Sequence, residues 1–492
     1  MNCMELDPRL NYAPKNVRNI HIMGICGTGM AALAGMLQHS GLEVTGSDNH
    51  VYPPMSDFLR QLGIAIKDGY AAENLCPVPD LVIVGNVITR KNPEAAALAE
   101  LQIPYISFPQ ALSRFFIAGK TSLVVAGTHG KTTTCSLLAS TLHYAGLDPS
   151  FMIGGIVQEF QRNFRLGRGK YFISEGDEYD TAFFDKESKF LHYRPDIAII
   201  TSVEFDHADI FSDLDQIKRS FKKFVSLLPA GGLIVAHLDD KNVAEVVADA
   251  PCPVQGYGTT AGLDWTMGDV LFRDGKSHFP VRHDGGEWTQ TVSLSGRHNC
   301  LNSLAVTAVL HHIGVDKKTI GGGLSTFMGV KRRQEVRGVE GGITVIDDFA
   351  HHPTAVRETL AGLKAAYAGH RLITVFEPRT NSSRRAVFQN DYVSAFDSAD
   401  MILIRDPLPL ENVSAQDHFS AEKLAQDLRG RHLAARSFPS TAEILDDLHV
   451  ILRPGDIVAI LSNGGFDNIH TRLLEMLRTG DQAGRTPRRD SE

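Results

Sequence analysis

Short apolar runs alternate with helical patterns along most of the chain, and the alternation falls into three blocks. In the first, an apolar run at residues 20–23 meets glycines, a helical stretch follows, and a second run spans 43–45. "DLVIVG" and "IPYIS" add strands, with a helical "NPEAAALAEL" between them. The second block carries the strand-like runs "SLVVA", "KYFIS", "DIAIIT" and "GGLIVA". The third carries "ITVID", "RLITVF", "MILIR" and "IVAIL". Strands and helices in alternation predict parallel α/β sheets. Residues 260–295 break the rule: rich in Gly, Asp and Thr, with the alternation of "WTQTVSL", they predict a small antiparallel insertion. The blocks run over 1–117, 118–328 and 329–480. The polar residues 481–492 are expected to be a disordered tail.

At 492 residues the length agrees with about three domains. A net charge of −8 gives no reason to expect a nucleic acid partner. Six scattered cysteines form no C-x-x-C pair, which fits free thiols in a reducing compartment. No run approaches the ~18 apolar residues of a membrane span, and the first residues lack the apolar core of a signal peptide. The expectation is a cytoplasmic protein without a membrane or nucleic acid partner; oligomeric state is not readable.

The strongest chemical signal is "SLVVAGTHGKTTTCS" at 122–136. An apolar strand enters a Gly-rich turn, then Lys131 and Thr132 open a helix. Such a turn cradles phosphates, with the Lys on the β/γ-phosphates and the Thr hydroxyl on Mg²⁺. The usual pattern has four residues between its glycines, whereas Gly127 and Gly130 have two. Two acidic clusters follow strands of the same block: Glu175, Asp177, Glu178 and Asp180, then Glu204, Asp206, His207 and Asp209. Hard oxygens beyond strand C-termini suit a Mg²⁺-nucleotide. In the first block "GICGTG" reorders the dinucleotide fingerprint, and Asp48 follows the second strand. On that cluster alone a nucleotide turn and a packing turn are both open. The third block sets Lys331, Arg332 and Arg333, then Asp347, Asp348, His351 and His352, then Glu377, Arg379, Arg384 and Arg385 near strand ends. Together these resemble a wall for a phosphorylated, carboxylate-bearing substrate.

"GTHGKTTT" resembles the ATP loop of the Mur ligases, which add amino acids or peptides to the UDP-linked peptidoglycan precursor, and that family shortens its loop in this way. "GICGTGM" resembles the UDP-binding turn of the UDP-N-acetylmuramate ligases. "SEGDEYD", "EFDHADIF", "GRHNCLN", "RRQE" and "DDFAHHPT" follow in the family's order. The resemblance implies an α/β, three-domain Mur ligase architecture: a Rossmann-like N-terminal domain for UDP, a central P-loop ATPase domain, and a Rossmann-like C-terminal domain for the acceptor. It implies ATP and Mg²⁺. Gly127, Thr128, His129, Gly130, Lys131, Thr132 and Thr133 are then the phosphate loop, with Thr132, Glu175 and His207 toward the metal. His298, Asn299 and Asn302 are expected near adenine, and Arg333 and Asp348 are expected to reach ATP. Lys131, Glu175, His207 and Arg333 form the catalytic set. Gly27, Thr28, Gly29, Met30, Asp48 and Asn86 are expected to hold the UDP-sugar, and His352 and Arg379 the acceptor.

Within the family, "VYPPMSDFL", "GNVITRKNPE", "FFDKESKF", "FDHADIF" and "SNGGF" most resemble the branch that joins a murein tripeptide to UDP-N-acetylmuramate in peptidoglycan recycling. The L-alanine-adding branch is the alternative; a sensor that binds UDP-sugar and ATP without ligation is another. Some Mur ligases hold a second Mg²⁺ with a carbamylated Lys, and the matching position here is Phe221, with Lys222 beside it.

Overall fold

The computed structural model describes residues 5–53, 55–206, 208, 210–410 and 413–483. The chain divides into two compact units. One comprises 1–205, 213–266 and 303–324, the other 206–212, 267–302 and 325–492.

The first unit holds two large sheets and the small antiparallel pair Asp180–Ala182 and Asp185–Ser188. One is a five-stranded parallel sheet in the order Ala65–Asp68, Glu43–Asp48, Asn19–Met23, Leu81–Val84, Tyr105–Ser107. Its central strands are apolar because both faces are covered, as parallel sheets require. Leu81–Val84 is buried throughout. The second sheet runs Trp265–Met267, Val254–Gly258, Leu233–His237, Ile197–Ile200, Thr121–Ala126, Tyr171–Gly176, Ser150–Val157, Arg162–Arg165, parallel except for the last pair. Its register positions the chemistry. Ala126 pairs with Ile200 on one side and Gly176 on the other. The turn after Ala126 therefore emerges beside Thr201 and beside Glu175.

The second unit contains the antiparallel strands Leu271–Arg273, Lys276–His283 and Gly286–Val292, as the alternation at 260–295 predicts. Its main sheet runs Glu335–Glu340, Ile343–Asp348, Ile457–Leu461, Leu372–Phe376, Met401–Arg405, Ala434–Phe438. Only the first pair is antiparallel. Val345, Val375, Leu403 and Ile460 pack with Ile444, Leu448 and Ile469 from two helices to form its core. The last helix, Ile469–Ala483, continues three residues past the expected end of the third block at 480. Residues 484–492 lie outside the described residues.

Among the described residues no helix is long and apolar enough to cross a membrane.

Candidate active site

The Gly-rich turn after Thr121–Ala126 owes its shape to two glycines. Gly127 has φ +139°, and a Cβ there would collide with Thr201 Oγ1 and meet the Ser202 backbone N at 3.0 Å. Gly130 has φ +80° and stands at the N-cap of the helix Lys131–Tyr144. Both conformations suit only a residue without Cβ. Between them, Thr128 N donates to Ser202 O (3.0 Å) and His129 N to Ser202 Oγ (3.0 Å). Thr201 Oγ1 donates to His129 O (2.5 Å), and Glu204 N donates to Thr128 Oγ1 (2.8 Å). The short turn is thus bound to segment 201–204, which the register brought beside it. The helix ends as its sequence predicts, with Gly146 at φ +74° and its N–H on His143 O.

Lys131 is mostly buried. Its Nζ donates to Gly127 O (2.7 Å) and to Glu178 Oε2 (2.9 Å), with Asp177 at 4.0 Å. Burial opposes its charge, but Glu178 and Asp177 outweigh that and hold it above the ordinary lysine value. Thr132 Oγ1 donates to Glu175 Oε2 (3.1 Å), and the other Glu175 oxygen accepts from Gly154 N (2.5 Å). The structure therefore brings the expected loop residues and Glu175 together. His207, expected with them, lies outside the described residues. Phe221 is fully buried against Phe190, with ring centroids 5.4 Å apart. Lys222 points to the surface, 3.4 Å from Glu245. No lysine occupies the Phe221 position from the neighbouring one.

The first-block turn is built differently. Gly24 N and Ile25 N donate to Ser47 O (2.8 and 3.1 Å), and Gly27 caps the helix Thr28–His39. Asp48 accepts from Cys26 N (2.9 Å) and His50 N (3.0 Å), so it braces the turn expected to hold the nucleotide. Ser47 is itself anchored: its hydroxyl donates to Glu94 Oε2 (2.6 Å), which lies 3.5 Å from His21 Nε2, while Asn74 donates to Glu94 Oε1 (2.6 Å). This buried polar cluster carries no motif and was not visible in the sequence. Met30 is buried, Gly29 faces the Phe108 ring, and Asn86 Nδ2 donates to Asp180 Oδ1 (3.3 Å).

In the second unit His298, Asn299 and Asn302 lie at the start of the helix Arg297–His312. Asn302 Nδ2 reaches Asn299 Oδ1 at 3.4 Å. Ser295 Oγ donates to Gln334 Oε1 (2.7 Å), and Gln334 N donates to Asp348 Oδ2 (2.7 Å), tying that helix start to the Arg333–Asp348 group. Burial raises the Asp348 carboxyl above the ordinary aspartate value, against the pull of Arg333. Arg333 stacks over Phe349, 4.6 Å from its centroid. His352 caps the helix Pro353–Ala366 by accepting from Thr354 N (3.3 Å) and packs edge-on against Phe388. Arg379 lies 3.6 Å from Glu377 and beside Gly464, where a Cβ would collide with it.

Comparison with known proteins agrees over nearly the whole chain. The family model "Mur ligase family, catalytic domain" matches residues 19–119, "Mur ligase middle domain" 125–310 and "Mur ligase, glutamate ligase domain" 332–464. The UDP-N-acetylmuramate–L-alanyl-gamma-D-glutamyl-meso-2,6-diaminoheptandioate ligase of Escherichia coli K12 is 40% identical, over 93% of this chain and 98% of its own. The UDP-N-acetylmuramate–L-alanine ligase of Geobacter sp. M21 is 34% identical, over 95% and 99%. The crystal structure of a murein peptide ligase from Psychrobacter arcticus superposes with a TM-score of 0.70 at 36% identity, over 94% and 99%.

Proposed function

The chain belongs to the Mur ligase family, which forms amide bonds with ATP, and on that premise we propose that it joins the L-alanyl-γ-D-glutamyl-meso-diaminopimelate tripeptide to UDP-N-acetylmuramate in peptidoglycan recycling. The observation that carries the acceptor is the 40% identity to a relative named for that tripeptide, against 34% for the alanine-named one.

A carboxylate is a poor acyl donor because oxide is a poor leaving group. Transfer of the ATP γ-phosphoryl group to the lactyl carboxylate gives an acyl phosphate. The tripeptide amine then attacks the acyl carbon, and phosphate leaves as the amide forms. Both steps gather negative charge, so positioned cations are the main catalytic need. In this reading Lys131 turns from Glu178 to the β/γ-phosphates, and the amides at the start of its helix bind phosphate oxygens. Gly127, Thr128, His129, Gly130 and Thr133 shape that cradle. His298, Asn299 and Asn302 serve adenine, and Arg333, set against Asp348, serves ATP. Gly27, Thr28, Gly29, Met30, Asp48 and Asn86 hold the UDP-sugar; His352 and Arg379 hold the acceptor.

Magnesium suits the donors in hand. Thr132 Oγ1 and Glu175 Oε2 are hard oxygens 3.1 Å apart at the mouth of the loop. With His207 they are the residues proposed to hold it. Such an ion supplies charge neutralisation on the phosphate oxygens.

The test is phosphate release with ATP, Mg²⁺ and UDP-N-acetylmuramate, offering tripeptide and L-alanine separately, with mass spectrometry of the nucleotide product. Release with tripeptide alone, and the matching mass gain, is expected. Release with L-alanine alone would move the chain to the other branch, and binding without turnover would make it a sensor.

A further inference from the structure

Lys189 lies in "FFDKESKF", a motif to which the reading above gives no catalytic or binding task. It opens the short 3₁₀ helix Lys189–His192, which packs on the helix Phe108–Leu112. Its backbone N–H is fixed on Tyr179 O (3.1 Å). Its ammonium sits over the Tyr179 ring, 4.1 Å from the centroid, and 5.7 Å from the centroid of Phe108. Phe108 in turn lies against Gly29 of the first-block turn, 3.6 Å from where a Cβ on Gly29 would stand. The ammonium also feels the charges of Asp177, Asp180, Lys131 and Glu178. Lys189 therefore lies near the turn at Gly29, through Phe108, and within electrostatic reach of Lys131 in the other turn.

Every carboxylate around it is already engaged. Glu178 accepts from Lys131 (2.9 Å). Asp177 accepts from the Tyr179 hydroxyl (2.9 Å). Asp180 accepts from Lys186 (2.6 Å) and Asn86 (3.3 Å). Among the described residues the Lys189 ammonium forms no ion pair, and it lies over aromatic rings. Burial accordingly holds it below the ordinary lysine value, Asp177 and Asp180 pulling the other way. A partly buried ammonium held on aromatic faces, with no anion of its own, is a prepared position for an anion carried by a ligand.

We propose that Lys189 is a catalytic residue that binds the lactyl carboxylate of the UDP-linked donor and stays on it as it becomes the acyl phosphate. The position selects this anion over the γ-phosphate, because Lys131 already lies in the phosphate loop while Lys189 reaches toward the turn beside Gly29. The proposal rests on the donor named above. The carboxylate oxygen that attacks phosphorus gains the phosphoryl group as ADP leaves. The remaining oxygen keeps its hydrogen bond to Nζ, where charge gathers again when the amine attacks.

The test compares two nucleotides that differ in the lactyl group: UDP-N-acetylmuramate and UDP-N-acetylglucosamine, binding to the full chain by calorimetry without ATP. The wild type is expected to favour the first. Lys189→Met should remove that preference, a loss of roughly tenfold to a hundredfold for a hydrogen bond to a charged group. Binding of UDP-N-acetylglucosamine and of ATP should be unchanged, which also shows that the variant is folded. Lys189→Arg should restore part of the preference. An undiminished preference in Lys189→Met overturns the proposal. So does a selective loss of ATP affinity, which would assign Lys189 to the γ-phosphate. If the wild type binds neither UDP-sugar, the donor reading itself fails.

Discussion

Lys131 and Glu178 offer a test in which folding and chemistry come apart. Their side chains are 12% and 3% exposed and meet at 2.9 Å. Replacing Lys131 by Met keeps the stem's volume but removes the cation that meets Glu178 in the interior, with Asp177 close by. Breaking one side of a buried pair costs about 3–5 kcal/mol. Loss of the donor to Gly127 O adds about 1 kcal/mol. Lys131→Met should therefore unfold at clearly lower urea. Adding Glu178→Gln removes the negative charge that remains and should restore roughly 2 kcal/mol or more, since much of the cost of breaking one side of a buried pair is that of the remaining charge. Ligation should be lost in both variants, because neither brings a cation to the phosphates. ATP at a hundredfold excess over its Kd should stabilise the wild type by about 2.7 kcal/mol and leave both variants unmoved. Urea midpoints with and without ATP, beside phosphate release, read all of this. Recovery of ligation in the double variant would refute the role given to Lys131. Unchanged stability in Lys131→Met would refute the buried pair.

Three other substitutions probe parts the sequence describes unevenly. Burial alone would raise the Glu94 carboxyl, but His21, Ser47 and Asn74 bring it below the ordinary glutamate value. Its stabilisation is therefore present above pH ~4.3 and lost as pH falls through the lowered value. Glu94→Gln should cost about 1–3 kcal/mol near neutrality, and the gap to wild type should close as pH falls below about 4.3; a gap that stays constant in urea titrations through that fall would contradict the charge argument. Lys222→Ala should change stability by less than about 0.5 kcal/mol and leave ligation intact, whereas Phe221→Ala should cost about 3–5 kcal/mol. Loss of ligation in Lys222→Ala with unchanged melting would give that lysine the role its orientation denies it.

The central strands were legible because a parallel sheet buried on both faces leaves near-continuous apolar runs, as in Leu81–Val84 and Ile457–Leu461. Several edge strands were not, although Tyr105–Ser107 was. Ala65–Asp68 and Glu335–Glu340 are largely exposed and read as ordinary polar chain. The Gly-rich turn proposed to bind phosphate was legible as a strand–turn–helix because Gly-Lys-Thr follows an apolar strand. Its acidic partner Glu175 followed from the rule that ligands gather at strand C-termini. Thr201 and Ser202, which hold the loop's backbone, gave no signal, since their role arises from the register between Ala126 and Ile200. Glu94 read as the first turn of a helix after Asn92, and nothing local told of its partners across the sheet. Lys189 stood within a quoted motif, but only the aromatic rings gathered around it in space suggest a task.

The short loop has one further consequence. With the backbone of Thr128 and His129 already fixed to segment 201–204, little freedom remains for a nucleotide to quench. Ordering a loop on binding consumes affinity, and here that ordering is complete beforehand. Two residues fewer between the glycines also leave fewer conformations to search. On the proposed reading, a substitution at 201–204 would reach the nucleotide through the backbone of the loop that it holds.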